Sequence, residues 1–225
     1  MKKLLFLPAA LLVLAGCTSA VPAAPAPSQP AAPPAEGTVS CAYTETGGAS
    51  KEVTAPSTTD VPATGQVDYV MTLNGDPLTL TLDRELAPCT VNSFTSLADQ
   101  GYFDDTRCHR VTDEGIFVLQ CGDPSGTGSG GPGYTIPDEF EKIPGYPAGA
   151  LAMANTGAPD SGGSQFFIVY AETPLPPQYT VFGTLDSAGV AKVAEIAAGG
   201  HDGSFGTAGG GVPNLPAEIG SIAAA

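Results

Sequence analysis

The stretch GQVDYVMTLNGDPLTLTLD, residues 65–83, constrains the fold more than any other. Val67, Tyr69, Met71 and Leu73 alternate with smaller or polar residues, and Leu78, Leu80 and Leu82 alternate with Thr79 and Thr81. Successive strand side chains point to opposite faces, so each half is a strand with one buried face. Asn74-Gly75-Asp76 between them is turn chemistry, and the pair reads as a β-hairpin. The rest of the chain adds short apolar or β-branched runs at 108–111, 116–120, 150–154, 165–170, 180–183 and 216–222. Two helices are expected. One covers 88–100, with Val91, Phe94, Leu97 and Ala98 on one stripe and Gly101 ending it; the other covers 190–198, closed by Gly199-Gly200. Strands do not alternate with helices and no segment repeats. The expected class is all-β with two helices, a closed eight-stranded antiparallel β-barrel capped by the helices.

Ahead of this domain, expected over 64–225, the composition changes. Lys2 and Lys3 precede an apolar run from Leu4 to Leu14, and Leu14-Ala15-Gly16-Cys17 follows. A basic start, a short apolar core and small residues describe a signal peptide over 1–16. The run is too short to span a bilayer. Cysteine directly after Leu-Ala-Gly resembles a bacterial lipobox, which makes Cys17 the expected lipidation site and anchors the chain stably. Residues 17–63, rich in Ala and Pro and then in Pro and Thr, are expected to form an extended tether reaching about 40 Å. Removal of 1–16 leaves 23 acids against six bases, a net charge of −17. Such a surface is repelled by phosphate backbones and anionic lipid. Nucleic acid is therefore excluded as a partner and membrane contact is assigned to the lipid alone. The expected location is extracytoplasmic, lipid-anchored in the cell envelope, as a monomer.

Four further cysteines, Cys41, Cys89, Cys108 and Cys121, form an even set outside the cytoplasm and suggest two disulfides. Proximity in sequence favours Cys108 with Cys121, leaving Cys41 with Cys89. Against this, a regular strand puts Cys108 on the face of Arg110 while Cys121 lies opposite Gln120, so the sulfurs diverge unless a bulge intervenes. A zinc site from Cys108, His109, Cys121 and His201 is the rival, with spacings of no usual zinc pattern. A thiol–disulfide enzyme is disfavoured because no Cys-x-x-Cys is present.

The strand at 165–170 is unusual on one face. Phe166, Ile168 and Tyr170 share a core face; Gln165, Phe167 and Val169 share the other. An amide beside a phenylalanine is either backbone-satisfied packing or a binding face. Three segments bear on this: CHRVTDEGIFVLQCGD at 108–123, LAMANTG at 151–157, and GGSQFFIVY at 162–170 with TVFG at 180–183. In order and content they resemble the cyclophilins, peptidyl-prolyl cis–trans isomerases. VNSFTSLADQGYFDDT, residues 91–106, resembles that family's first helix and following turn. The resemblance covers roughly residues 66–225.

It implies rotation of X–Pro bonds in proline-containing polypeptides. Uncatalysed exchange takes tens to hundreds of seconds. Going from ~10⁻² to ~10² s⁻¹ lowers the barrier by about 5–6 kcal/mol, within reach of electrostatics and positioning. No bond is made or cut, so no cofactor or metal is called for. The needs are an apolar slot for the ring, a donor near the prolyl nitrogen and groups that hold the flanking peptide. By resemblance, Arg110 is the catalytic residue and its charge is permanent. Phe117, Val118 and Gln120 line the next strand, with Ile116 the alternative to Phe117 because TDEG is two residues longer than the family's tight turn. Ala154, Asn155 and Thr156 hold substrate backbone. Gln165 lies on the peptide, Phe167 at the proline slot, Leu175 at the rim, and Tyr179 where many relatives carry histidine. One extra residue sits in TGAPDSGGS. The rim tryptophan of many relatives falls at or near Pro174, and the chain has no Trp, which argues against strong cyclosporin binding. Taken alone, Arg110 could pair with Asp113 or Glu114, and the phenylalanines and Leu175 could be core. The loop at 122–133 lacks the Lys-Ser/Thr of a phosphate cradle and is expected to pack against the site. Two functions follow: an isomerase acting on exported proteins at the membrane's outer face, or a proline-peptide-binding chaperone or scaffold with little turnover.

Overall fold

A computed structural model describes residues 35–225. Residues 1–16, Cys17 and residues 18–34 of the expected tether lie outside the described residues.

The hairpin forms as β4 (Gln66–Leu73) and β5 (Asp76–Asp83), paired in register from Gln66–Asp83 to Leu73–Asp76. Asn74 and Gly75 both have positive φ, 54° and 86°. That combination matches the right-handed twist of the strands a two-residue turn joins. Tyr69, Met71 and Leu73 on β4 and Leu78, Leu80 and Leu82 on β5 are buried, the faces that the alternation specifies.

The remaining elements are β6 (Thr106–Arg107), β7 (Arg110–Glu114), β8 (Ile116–Cys121), β10 (Ala150–Met153), β11 (Phe166–Val169), β12 (Val181–Leu185), β13 (Glu218–Ala224), α1 (Pro88–Asp99) and α2 (Ser187–Ala198). The sheet runs β6-β13-β4-β5-β12-β10-β11-β8-β7. This corrects the expected closed eight-stranded barrel. The sheet has nine strands and is an open, curled half-barrel whose edges are β6 and β7. The physical reason is local. Only Cys108 and His109 separate the two edge strands, with no turn between them. The outer edge of β7 is occupied instead by a loop, through reciprocal backbone hydrogen bonds between Val111 and Gly211 of 2.8 and 3.0 Å.

Both helices cap the core. The α1 stripe Val91, Phe94, Leu97 and Ala98 is buried, and the Phe94 ring packs 5.0–5.3 Å from those of Phe103, Phe166 and Phe182. No side chain at Ala87 caps α1. The carboxylate of Glu139 does so from a distant loop, accepting from the Cys89 and Thr90 amides at 2.9 and 2.8 Å and from the Thr90 hydroxyl at 2.7 Å. Helix α2 starts three residues earlier than its apolar pattern suggests, because Asp186 accepts from the Gly189 amide at 2.6 Å.

Residues 35–63, expected as tether, lie against the domain. β1 (Thr38–Val39) pairs with β3 (Val61–Pro62), and β2 (Thr44–Glu45) pairs with β9 (Tyr134–Thr135). Cys41 is bonded to Cys89 at the start of α1, with a Cα–Cα distance of 5.5 Å. Cys108 is bonded to Cys121, Cα–Cα 3.9 Å. The strict alternation that separated these two sulfurs does not apply, because β7 begins at Arg110 and Cys108 lies in the irregular link before it. The zinc alternative thereby loses both its thiolates.

Candidate active site

The sheet sorts its side chains into two apolar clusters. Phe166 and Ile168 join the main core with the hairpin and helices. Phe167 and Val169, on the other face of β11, join Val118, Ala150, Ala152, Val181 and Tyr146 in a second cluster, with Leu175 and Tyr179 packed against it. The division follows from the period of two along β11 and β8.

At the edge of this second cluster is a cleft of about 180 Å³ lined by Arg110, Ile116, Val118, Gln120, Ala154, Asn155, Phe167, Leu175 and Tyr179. Register assembles it: Arg110 sits opposite Gln120, and Gln120 opposite Phe167. The Tyr179 ring meets Phe167 edge-on at 5.4 Å. Its backbone is fixed by the Tyr146 hydroxyl, which accepts from the Tyr179 amide and donates to its carbonyl, both at 3.0 Å. Asn155 donates to the Gln178 carbonyl at 2.7 Å, tying the Ala154–Asn155 wall to the Leu175–Tyr179 wall.

A second cleft of about 650 Å³ adjoins the first and shares Gln120, Ala154 and Asn155 with it; Thr156, Gln165 and the loop Gly128–Gly133 line it. Thr156 and Gln165 therefore stand here rather than in the smaller cleft. Phe117 stands in neither. It lies on the opposite face of β8 from Ile116, Val118 and Gln120, with its ring against Tyr170 at 5.9 Å. The period of two along β8 brings Ile116, the alternative to Phe117, to the cleft with Val118 and Gln120.

A chain of hydrogen bonds runs between the clefts. Arg110 Nη1 donates to Gln120 Oε1 at 3.2 Å and Gln120 Nε2 to Gln165 Oε1 at 2.9 Å. Gln165 Nε2 in turn donates to the carbonyls of Gly128 and Gly130 at 3.0 and 2.9 Å. The glycine-rich loop is organised from within by Asp123. Its carboxylate accepts from the amides of Ser125, Gly128 and Gly130 at 2.8–3.0 Å. Burial alone would raise this carboxyl, but the Ser125 hydroxyl and those amides outweigh it and hold it below the ordinary value. Gly122 before it has φ 86°, and a Cβ there would lie 2.2 Å from the Ser164 carbonyl oxygen; only glycine fits.

Arg110 forms no ion pair among the described residues; Asp113 pairs with His201 at 3.1 Å instead. The guanidinium donates to the carbonyls of Gly209 (2.9 Å) and Ala208, and stands 5.7 Å from the centroid of Phe205. Burial lowers its pKa from the ordinary value, and an arginine remains charged there. The site thus presents a half-buried cation, without an acidic partner among the described residues, at the mouth of a cleft that has polar groups on one side and Ile116, Val118, Phe167 and Leu175 on the other. The loop that holds it, residues 205–211, was missed in the sequence. It has no apolar period, and its one signal is a lone phenylalanine among glycines.

The family model for cyclophilin type peptidyl-prolyl cis-trans isomerase/CLD matches residues 69–216. A probable peptidyl-prolyl cis-trans isomerase B of Mycobacterium tuberculosis is 45% identical over 184 residues, covering 75% of this chain and 57% of its own length. The chain thus spans a little over half of that mycobacterial relative. Peptidyl-prolyl cis-trans isomerase B of Bacillus subtilis is 47% identical over 121 residues, 53% of this chain and 82% of that one. The crystal structure of a Cryptosporidium parvum cyclophilin type peptidyl-prolyl cis-trans isomerase is similar with a TM-score of 0.61 and 29% identity, over 72% of this chain and 98% of that one. A second crystal structure of it, in the presence of the dipeptide Ala-Pro, gives a TM-score of 0.59 and 28% identity, over 70% of this chain and 98% of that one.

Proposed function

Because the chain belongs to the cyclophilin-type peptidyl-prolyl cis–trans isomerase family, we propose that it accelerates rotation about X–Pro bonds in polypeptides, with Arg110 as the catalytic residue. The observation that carries this reading is the unneutralised guanidinium beside a small cleft of about 180 Å³ whose apolar wall is formed by Ile116, Val118, Phe167 and Leu175. A proline ring seated against Val118, Phe167, Leu175 and Ile116 brings its nitrogen toward Arg110. As the amide twists, resonance is lost and the nitrogen lone pair localises. A fixed N–H donor stabilises that lone pair more than it does the planar ground state, which is what lowers a barrier. Gln120, Asn155 and the backbone at Ala154, which border the slot, are the groups we assign to the peptide on either side.

The substrates we propose are exported proteins at the outer face of a membrane, reached by a chain anchored through Cys17. What supports this is the signal-like start, the Leu-Ala-Gly-Cys sequence and two disulfides of a kind that persists in oxidising compartments.

The test is cis–trans exchange of a short Ala-Pro peptide, followed by exchange NMR on the oxidised protein. Faster exchange is expected, with Arg110→Ala losing most of it while peptide affinity stays within about tenfold. Turnover unchanged in Arg110→Ala would remove the role given to Arg110. Peptide shifts without faster exchange would make the groove a proline-peptide docking site instead.

A further inference from the structure

We infer that Phe205, with the turn Gly206–Gly211 that carries it, is a positioning element for Arg110; this rests on the catalytic reading of Arg110 given above. An arginine has five N–H donors in a rigid fork. Three of them are directed by the rest of the protein: Nε by Gly209, Nη2 by Ala208 and Nη1 by Gln120. Two are left for a substrate. Two of the three fixing carbonyls come from one turn, and that turn is far from Arg110 in sequence.

The turn is itself held in place. Val111, next to Arg110, exchanges two backbone hydrogen bonds with Gly211. Gly210 passes so close that a Cβ there would lie 2.2 Å from the Val111 carbonyl oxygen. Asp202 accepts from the amides of Ser204 and Val212, both at 2.9 Å, closing the loop at its neck. His201 joins that neck to Asp113 of β7 at 3.1 Å. Phe205 is the one large side chain inside the turn. It lies between the Arg110 guanidinium (5.7 Å), the His109 ring (6.2 Å) and Gly128 of the glycine-rich loop, where a Cβ would come within 3.3 Å of the phenyl ring. An aromatic ring attracts a guanidinium over its face, and its bulk excludes the water that would otherwise compete for the same donors. Removing it frees Arg110 to tilt away from the cleft without altering the slot that binds proline. The effect expected is therefore on turnover rather than on binding.

Steady-state and exchange measurements on the full oxidised chain test this with Phe205→Ala, Phe205→Leu, Phe205→Tyr and Arg110→Ala side by side. Phe205→Ala is expected to lower kcat about tenfold or more with KM within about threefold. Phe205→Tyr keeps a ring and should restore kcat to within about threefold. Phe205→Leu keeps bulk without a ring and should not. The Arg110 Nε–H signal, protected by Gly209, should exchange faster with solvent in Phe205→Ala. Wild-type turnover in Phe205→Ala, a loss confined to KM, or equal rescue by Leu and Tyr would overturn the inference. If Phe205→Ala does not fold, the Leu and Tyr pair decides it. Arg110→Ala inactive beside an intact Phe205→Ala sinks only the positioning role, whereas an active Arg110→Ala sinks the catalytic reading beneath it.

Discussion

Gln165 shows how a single residue can belong to packing and to a cleft at once. Its amide nitrogen holds the glycine-rich loop through two carbonyls and its oxygen takes a hydrogen bond from Gln120, while its side chain lines the larger cleft. His109 is the contrary case. It is fully buried, and neither ring nitrogen has a hydrogen-bond partner among the described residues. Burial lowers its pKa; Asp123 opposes this, while Arg110 and Arg107 add to it. The folded state therefore favours the neutral ring. Its contribution to stability is complete above the unfolded value of about 6.5 and is lost as pH falls through the lower folded value. We expect the melting temperature to drop on acidification below about pH 6.5, and His109→Gln to flatten that part of the profile; an identical slope in the variant would refute the assignment. Alternation placed Gln165, Phe167 and Val169 on one face from sequence alone, while Val118 and Gln120 came from the family resemblance, which also put Phe117 in the site. The period of two along β8 puts Ile116, not Phe117, on the face of Val118 and Gln120.

At the scale of elements, strands and helices with strong periods were readable, and their ends were less so. A helix end is set by whatever satisfies its free amides, and for α1 that group is Glu139, about 50 residues away in sequence and silent in any local pattern. Burial raises the pKa of this carboxyl, against the hydrogen bonds it accepts from Cys89 and Thr90. Glu139→Ala leaves two amides and a hydroxyl without their acceptor and is expected to cost about 2 kcal/mol in urea unfolding with the disulfides intact. Glu139→Gln keeps one acceptor oxygen and should cost less. Equal stability of all three proteins would mean that water caps α1 as well as the carboxylate does. The second element effect that sequence did not reveal is the docking of residues 35–63, fixed by the Cys41–Cys89 bond. Its polar, proline-rich composition carries no period from which a contact could be read.

For the whole molecule, charge and topology matter most. With 23 acids against eight bases, and with Lys192 to Asp76 and to Glu195 as the lysine or arginine ion pairs among the described residues, self-repulsion is weakly compensated. Raising ionic strength from ~10 mM to ~150 mM shortens the screening length to about 8 Å and is expected to raise the melting temperature by about 2–4 °C. A fall instead would show that the few ion pairs outweigh the repulsion. The open sheet was not foreseen because closure depends on what covers the edge of β7, a loop contact made by glycines. That same sheet places β13 beside β4, Ile222 opposite Met71, partners separated by about 150 residues, and distant pairings are slow to form because loop closure must precede them. Until residues 218–224 pair with it, β4 has one neighbour, β5, and an open edge. Completion of the sheet therefore waits on its most distant partner, and the order in which contacts form is set by chain topology and not by local strength.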